Sequence, residues 1–244
     1  ANAILSGLVG SEMCIRDRHT VLGSSDSSLT IEDAAKQLIK RGLDGACLTE
    51  HSSIWEKNKD QIEDVFSHYS LKVFRCIEIS TNYGHVIGIG FDKYIPGSHD
   101  INLLSQFAKD NDAFLISAHP ARRLFGKEKF QHNLLYKGQE YTPDIVEFSS
   151  NKLFEFIHGV EVLNGGNNSE ENEYAFEAAK INQKIMTGGS DAHSESGVGT
   201  FATKFTFDTD SIEDIVTQLY NNQVCPVYKK NDNWIDLDSN YFQN

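Results

Sequence analysis

The chain has 244 residues, 39% of them hydrophobic, enough for one large globular domain or two small ones, and a single domain is the expectation. Its 35 acidic against 22 basic side chains leave a formal net charge of -13, which excludes a nucleic-acid-coating surface, because phosphate binding of that kind needs a basic stripe. A small phosphorylated substrate is compatible with that balance, since cations bound among acidic ligands reverse the local field.

Cys14, Cys47, Cys76 and Cys225 have no CxxC spacing, so neither a zinc knuckle nor a disulfide framework is suggested, and reduced thiols in a cytoplasmic protein are expected. The apolar run from Ala3 to Gly10 lacks a basic flank and falls far short of the ~20 residues that span a bilayer. No targeting segment and no membrane partner are expected, and the oligomeric state is left open.

Strand-like and helix-like stretches then alternate, the pattern of an α/β protein with a largely parallel sheet or barrel. Ile31 to Arg41 reads as a helix, with Thr30 as N-cap, Glu32 and Asp33 in the first turn and Gly42 as its stop. Gly45 to Thr49 is a strand ending on Glu50-His51. Leu71 to Ile77 leads to Glu78, and Val86 to Gly90 begins beside His85, so a short antiparallel turn through Ser80 to Gly84 would bring His85 back to Glu78. A helix over Asn102 to Asn111 precedes a strand, Ala113 to Ser117, that ends at Ala118-His119-Pro120. Gly159 to Leu163 is a strand, Glu170 to Asn182 a helix, Lys184 to Thr187 and Lys204 to Phe207 strands, and Ser211 to Tyr220 a helix with Asp210 as its cap. Two variable loops, Trp55 to Phe66 and Ala121 to Pro143, are expected to shape substrate choice, the second being long enough to cover a site.

Chemistry concentrates where these strands end. Thr187-Gly188-Gly189-Ser190-Asp191-Ala192-His193 sets a carboxylate and an imidazole two residues apart, on one side of an extended backbone, and that pair suits a divalent cation. His51, Glu78, His85 and His119 occupy comparable positions, and in parallel α/β barrels the carboxyl ends of the strands converge on the active site. His68, His99, His132 and His158 have no such partners and read as ordinary side chains; Glu161 and Asn164 read as supporting groups near a strand end. Arg122 and Arg123 follow the His119-Pro120 turn and are candidates to hold a phosphate bidentately, with a solvated surface pair as the alternative. There is no G-x-S-x-G elbow and no Cys/His pair to serve as a nucleophile.

The ordered segments His19-Thr20, Leu48-Thr49-Glu50-His51, Ile77-Glu78-Ile79-Ser80-Thr81, Gly84-His85-Val86-Ile87-Gly88, Ala118-His119-Pro120 and Gly189-Ser190-Asp191-Ala192-His193 resemble the polymerase-and-histidinol-phosphatase (PHP) family of metal-dependent phosphoesterases, from about His19 to about Phe207. The resemblance implies an α/β fold, a distorted (β/α)7 TIM-like barrel in one domain, with up to three divalent ions. It implies that Glu78 bridges two metals, that His85 and His119 complete the second, and that Asp191 joins His19 on the first. His51 and His193 then match ligands of the third, with Asp26 as a further one at a longer spacing from His19 than the commonest pattern. Glu78, Asp191 and His193 become the catalytic residues. Zn, Mn or Fe suits the mixed ligand set. The implied reaction is hydrolysis of a phosphate ester by a metal-activated water; a metal-binding module without catalysis and an amidohydrolase-type enzyme are the alternatives.

The family opens with Asp-x-His-x-His, whereas aligning His19 with its second His puts Ile15 and Asp17 at the other two positions. Met13 to Arg18 also reads as the translation of a transposon-derived sequencing adapter end. Residues 1–18 are therefore expected to be foreign to the gene and 19–244 to form the PHP-type domain, the alternative being a natural variant with a weakened first metal site. Sequencing the parent DNA upstream of His19 from an independent clone should show an Asp-x-His pair in place of Ile15 and Asp17; an uninterrupted reading through Met13 to Arg18 would overturn this.

Overall fold

The computed structural model describes residues 12–15, 27–50, 54–91, 94–125, 133–139 and 141–243. Ten strands form one mixed sheet: β1 Glu12–Ile15, β2 Gly45–Glu50, β3 Lys72–Thr81, β4 Gly84–Ile89, β5 Phe114–Ser117, β6 Gly159–Asn164, β7 Ile185–Gly189, β8 Phe201–Phe205, β9 Val224–Lys230 and β10 Asn233–Asp236. Among the described residues the α-helices are α1 Ile31–Arg41, α2 Ile54–His68, α3 Ile101–Asp110, α4 Ile145–Ser149, α5 Leu153–Phe156, α6 Ser169–Ile181 and α7 Ile212–Tyr220.

Strands β1 to β7 lie side by side in chain order, and β8, β9 and β10 extend the sheet beyond β1. Pairing is parallel for β1-β2, β2-β3, β5-β6 and β6-β7, but antiparallel for β3-β4 and β4-β5 and for every pair involving β8, β9 or β10. Strand alternation sorts two faces. Cys47, Phe74, Cys76, Ile87, Ile89, Phe114 and Ile116 pack with Phe205 and with Ile215 and Leu219 of α7. Ile77, Ile79, Val86, Leu115, Val160 and Val162 face the other way and bury the apolar sides of α3 and α6.

The sheet curls around the first of these faces. Strand β7 ends the hydrogen-bonded order, yet Thr203 on β8 both donates its hydroxyl to Gly188 O and accepts from Gly188 N–H, each at 2.9 Å. Glycine is required there, because a Cβ at 188 would lie 2.7 Å from Ala202 O. The architecture is a mixed α/β fold with a curled half-barrel sheet, and a full (β/α)7 barrel is not seen among the described residues. A hairpin replaces the helix between β3 and β4, and a hydroxyl bridge, not a strand ladder, links β7 to β8 among the described residues.

Local signals account for most elements. Thr30 caps α1 by accepting from Asp33 N–H, and Gly42 closes it at φ 71°. Asn168 and Glu171 form a reciprocal capping box on α6, and Ser211 and Asp214 form one on α7, so Ser211 and not Asp210 is that cap. Trp55 to Phe66, expected as a loop, lies in α2, whose Ile62 and Phe66 are fully buried against α1 and β2. Strand β8 starts three residues earlier than expected, and β1, β9 and β10 were not foreseen. The adapter-like stretch supplies β1, whose backbone pairs with both β2 and β8. Among the described residues no helix is long and apolar enough to cross a membrane.

His158 shows why an isolated histidine can be structural. Its Nδ1 accepts the Leu115 N–H at 2.9 Å, and its ring packs against Phe114 and Tyr220. Burial, helped by Lys184 and Lys109, pushes its pKa down from 6.5 to about 4. The unfolded chain therefore takes up this proton as pH falls through 6.5, while the folded chain resists until about 4. The contribution is complete above pH 6.5 and is lost toward pH 4, on the order of 2 kcal/mol. Urea denaturation at pH 7.5 and 4.5 should show a smaller loss of stability on acidification for His158→Gln than for the parent.

Candidate metal centre

The β3-β4 hairpin builds the first part of the site. Its turn residues Asn82 and Tyr83 are fixed by Thr81, whose hydroxyl accepts Tyr83 N–H at 3.0 Å and donates to Gly84 O at 2.7 Å. Asn82 ties the turn to α3, donating its N–H to His99 O and accepting Ile101 N–H on its side chain. The register pairs Ser80 with His85 and Glu78 with Ile87, so Glu78 and His85 are diagonal neighbours on one face. Their side chains meet, with His85 Nδ1 2.7 Å from Glu78 Oε1.

His119 joins them from the end of β5. Its backbone has φ 31°, a left-handed turn that breaks the strand alternation and brings Nε2 to 3.5 Å from the same Glu78 oxygen. One ligand atom from each of Glu78, His85 and His119 lies within 4.8 Å of the others, a geometry that can hold a metal ion. Two imidazoles and a carboxylate are a donor set used by zinc hydrolases and non-haem iron sites alike. Burial, aided by the Arg122 charge and opposed by Glu78, lowers the His119 pKa to about 4. The imidazole is thus neutral at neutral pH, the form a metal requires.

A second set of contacts lies beside the trio. Glu161, fully buried on β6, accepts the His119 backbone N–H at 3.2 Å and Asn164 Nδ2 at 2.6 Å. Asn164 Oδ1 accepts from Arg122 Nη2 at 2.5 Å and from Gly166 N–H at 2.8 Å. Arg122 Nε donates to Asn167 Oδ1 at 3.1 Å, and Nη2 is ion-paired with Asp191 Oδ2. Burial would raise the Asp191 pKa, but Arg122, assisted by His119, holds the carboxyl below its usual value. Asp191 takes φ 47° just past the end of β7, so the pair Asp191 and His193 is placed by a backbone reversal and not by strand alternation. His193 Nδ1 sits 3.2 Å from Asp191 O and 3.7 Å from Asp191 Oδ1.

Of these groups, Glu78, His85, His119, Arg122, Asp191 and His193 line a cavity of about 340 Å³ together with Tyr83, Ser117, Arg123, Asn133, Leu134 and Leu135. Asn133 shapes its rim, donating to Pro120 O and Arg122 O while accepting from Leu135 and Tyr136 N–H. The expectation that the Ala121 to Pro143 loop covers a site therefore agrees with its described part.

The structure brings together five of the eight expected metal ligands, Glu78, His85, His119, Asp191 and His193, while the other three, His19, Asp26 and His51, lie outside the described residues. Arg122 does not present an open fork to a substrate, since Asp191, Asn164 and Asn167 engage it; Arg123 is exposed at the rim. The sequence reading missed Asn167, Gly166 and Asn133, although Asn164-Gly165-Gly166-Asn167 is a turn signal directly after a strand and could have drawn attention. Replacing Glu78 with Gln should weaken Mn or Zn binding by more than about 100-fold in calorimetric titration, because a ligand carboxylate and its charge are both lost.

Comparison with known proteins bears on the fold and the family. Residues 169–224 match the family model described as PHP-associated. No curated protein sequence matches the chain. Among solved structures, the chain is similar to PsfC from Pseudomonas syringae, with 16% identity and a TM-score of 0.61 over 92% of this chain and 93% of that one. It is similar to a protein from Bifidobacterium adolescentis provisionally named a metal-dependent phosphoesterase, with 15% identity and a TM-score of 0.51 over 75% of this chain and 88% of that one. It is also similar to an amidohydrolase from Chromobacterium violaceum, solved with bound sulfate and no metal, with 13% identity and a TM-score of 0.54 over 87% and 96% of the two chains. The PHP-associated match covers residues 169–224, a stretch that includes Asp191 and His193, and it agrees with the PHP resemblance of the sequence motifs.

Proposed function

We propose that this chain hydrolyses a small phosphate ester, using a water activated by a divalent ion. The observation that carries the reading is the Glu78, His85 and His119 trio in the wall of an open cavity. A bound Zn, Mn or Fe ion would supply hydroxide near neutral pH and a Lewis acid for the phosphoryl oxygens. Glu78 and the two imidazoles hold that ion, and Glu161 fixes His119 through its backbone N–H. Arg123, exposed at the rim, is a cation available to an entering phosphate. His193 has an imidazole side chain 37% exposed and stands at the cavity, where it can serve as a further ligand or pass a proton to the leaving oxygen. Tyr83, Leu134 and Leu135 give an apolar wall for the remainder of the substrate. The domain in this reading spans residues 19–244, in a cytoplasmic protein.

The name of the Chromobacterium violaceum protein favours one second reading, hydrolysis of an amide in the same cavity. A panel of phosphate monoesters, phosphodiesters and amides, assayed with added Mn or Zn, separates the two. Phosphate release that falls by at least about 100-fold in His119→Ala is expected. Turnover confined to amides would replace the phosphoesterase reading, and metal binding without any turnover would leave a non-catalytic module.

A further inference from the structure

The cation nearest Asp191 is already part of the chain. We propose that the Arg122 guanidinium takes the place of a metal ion at Asp191, so that this chain holds its divalent ion at Glu78, His85 and His119 and not at Asp191. The proposal rests on the metal-dependent reading above and specifies where in the site metal binds.

Three observations support it. First, Arg122 is held by more than charge: Asn164 Oδ1 at 2.5 Å and Asn167 Oδ1 at 3.1 Å accept from two different nitrogens, while Asp191 accepts on Nη2. Second, the Asn164 amide cannot flip to release it, because its Nδ2 donates to the buried Glu161 and its Oδ1 also accepts Gly166 N–H. Third, the backbone makes room for the pair. A Cβ at Gly166 would stand 2.6 Å from Arg122 Nη2 and 3.0 Å from Asp191 Oδ2.

A guanidinium so placed is a permanent charge that cannot deprotonate to make way for a metal. An ion at Asp191 Oδ2 would have to displace Arg122 from the carboxylate and both amides, and an ion at Oδ1 would share one carboxylate with a fixed guanidinium whose charge repels it. At the trio no guanidinium is bonded to the ligand carboxylate, whose neighbours are the His85 and His119 imidazoles. All residues of this cage lie between 119 and 191, so the inference does not depend on the N-terminal eighteen residues. Functionally, the cavity then presents a bound ion on one side and a fixed guanidinium on the other.

The test is metal stoichiometry of the purified full chain, loaded with Mn, freed of unbound ion and measured by elemental analysis and calorimetry. Asp191→Asn should retain the parent's number of equivalents, and Arg122→Met, which releases the carboxylate, should gain one. Arg122→Lys should keep the parent's count, and circular dichroism with thermal midpoints establishes that each variant is folded. If Arg122→Met does not fold, Asp191→Asn decides alone. Loss of an equivalent in Asp191→Asn, or no gain in a folded Arg122→Met, overturns the proposal while leaving the phosphoesterase reading standing. A parent chain that binds no Mn overturns both.

Discussion

Three acidic side chains, Glu78, Glu161 and Asp191, are buried within one small region, with at most 8% of their surface exposed, and the site is organised around that constraint. An unpaired buried carboxylate costs several kcal/mol, so each must be given donors or positive charge. Glu161 receives a backbone N–H and an amide, Asp191 receives a guanidinium, and Glu78 receives two imidazoles. Only the last set consists of groups that are also good metal ligands when neutral. The chemistry therefore gathers at Glu78, while the other two acids hold the framework around it.

The scaffold meets this constraint by departing from regular geometry at chosen points. His119, Arg123 and Asp191 all have positive φ without being glycine, and all three line the same cavity. Such conformations cost free energy and persist where surrounding contacts determine them. Here the contacts are those of the acid network: Glu161 holds the His119 N–H, Glu171 accepts the Arg123 N–H, and Arg122 holds Asp191. The Glu171 carboxylate also completes the capping box of α6, which links the start of that helix to the cavity rim.

Much of the site could be read from residue order, because the hairpin register is a local property. Once β3 and β4 are joined by a two-residue turn, Glu78 and His85 must share a face, and a short antiparallel turn was the only route for His85 to reach its partner. Helix α1 was legible for the same reason: its cap, first-turn acids and terminal glycine lie within a dozen residues. Helix α2 was not, since its polar, charge-rich sequence resembles a loop until Ile62 and Phe66 are buried by residues far away in the chain. Asp191 and His193 were expected to converge through strand alternation, and they do approach, but through a left-handed residue that no pattern of periods two or 3.6 encodes.

The sequence by itself determined the ends of α1 and, within a residue, of α6, most of the central strands and the trio of metal-ligand types at strand ends, because caps, alternation and hairpin turns depend on neighbours within a few residues. It also determined the PHP resemblance, which rests on the order of short motifs. Only the tertiary structure decided that the sheet curls as a half-barrel bridged by Thr203 and Gly188, and that Arg122 in the cavity wall is held by Asp191. Those outcomes depend on groups 15 and 69 residues apart, and their pairing follows from the burial of charge and the curvature of the sheet, neither of which leaves a local pattern in the chain.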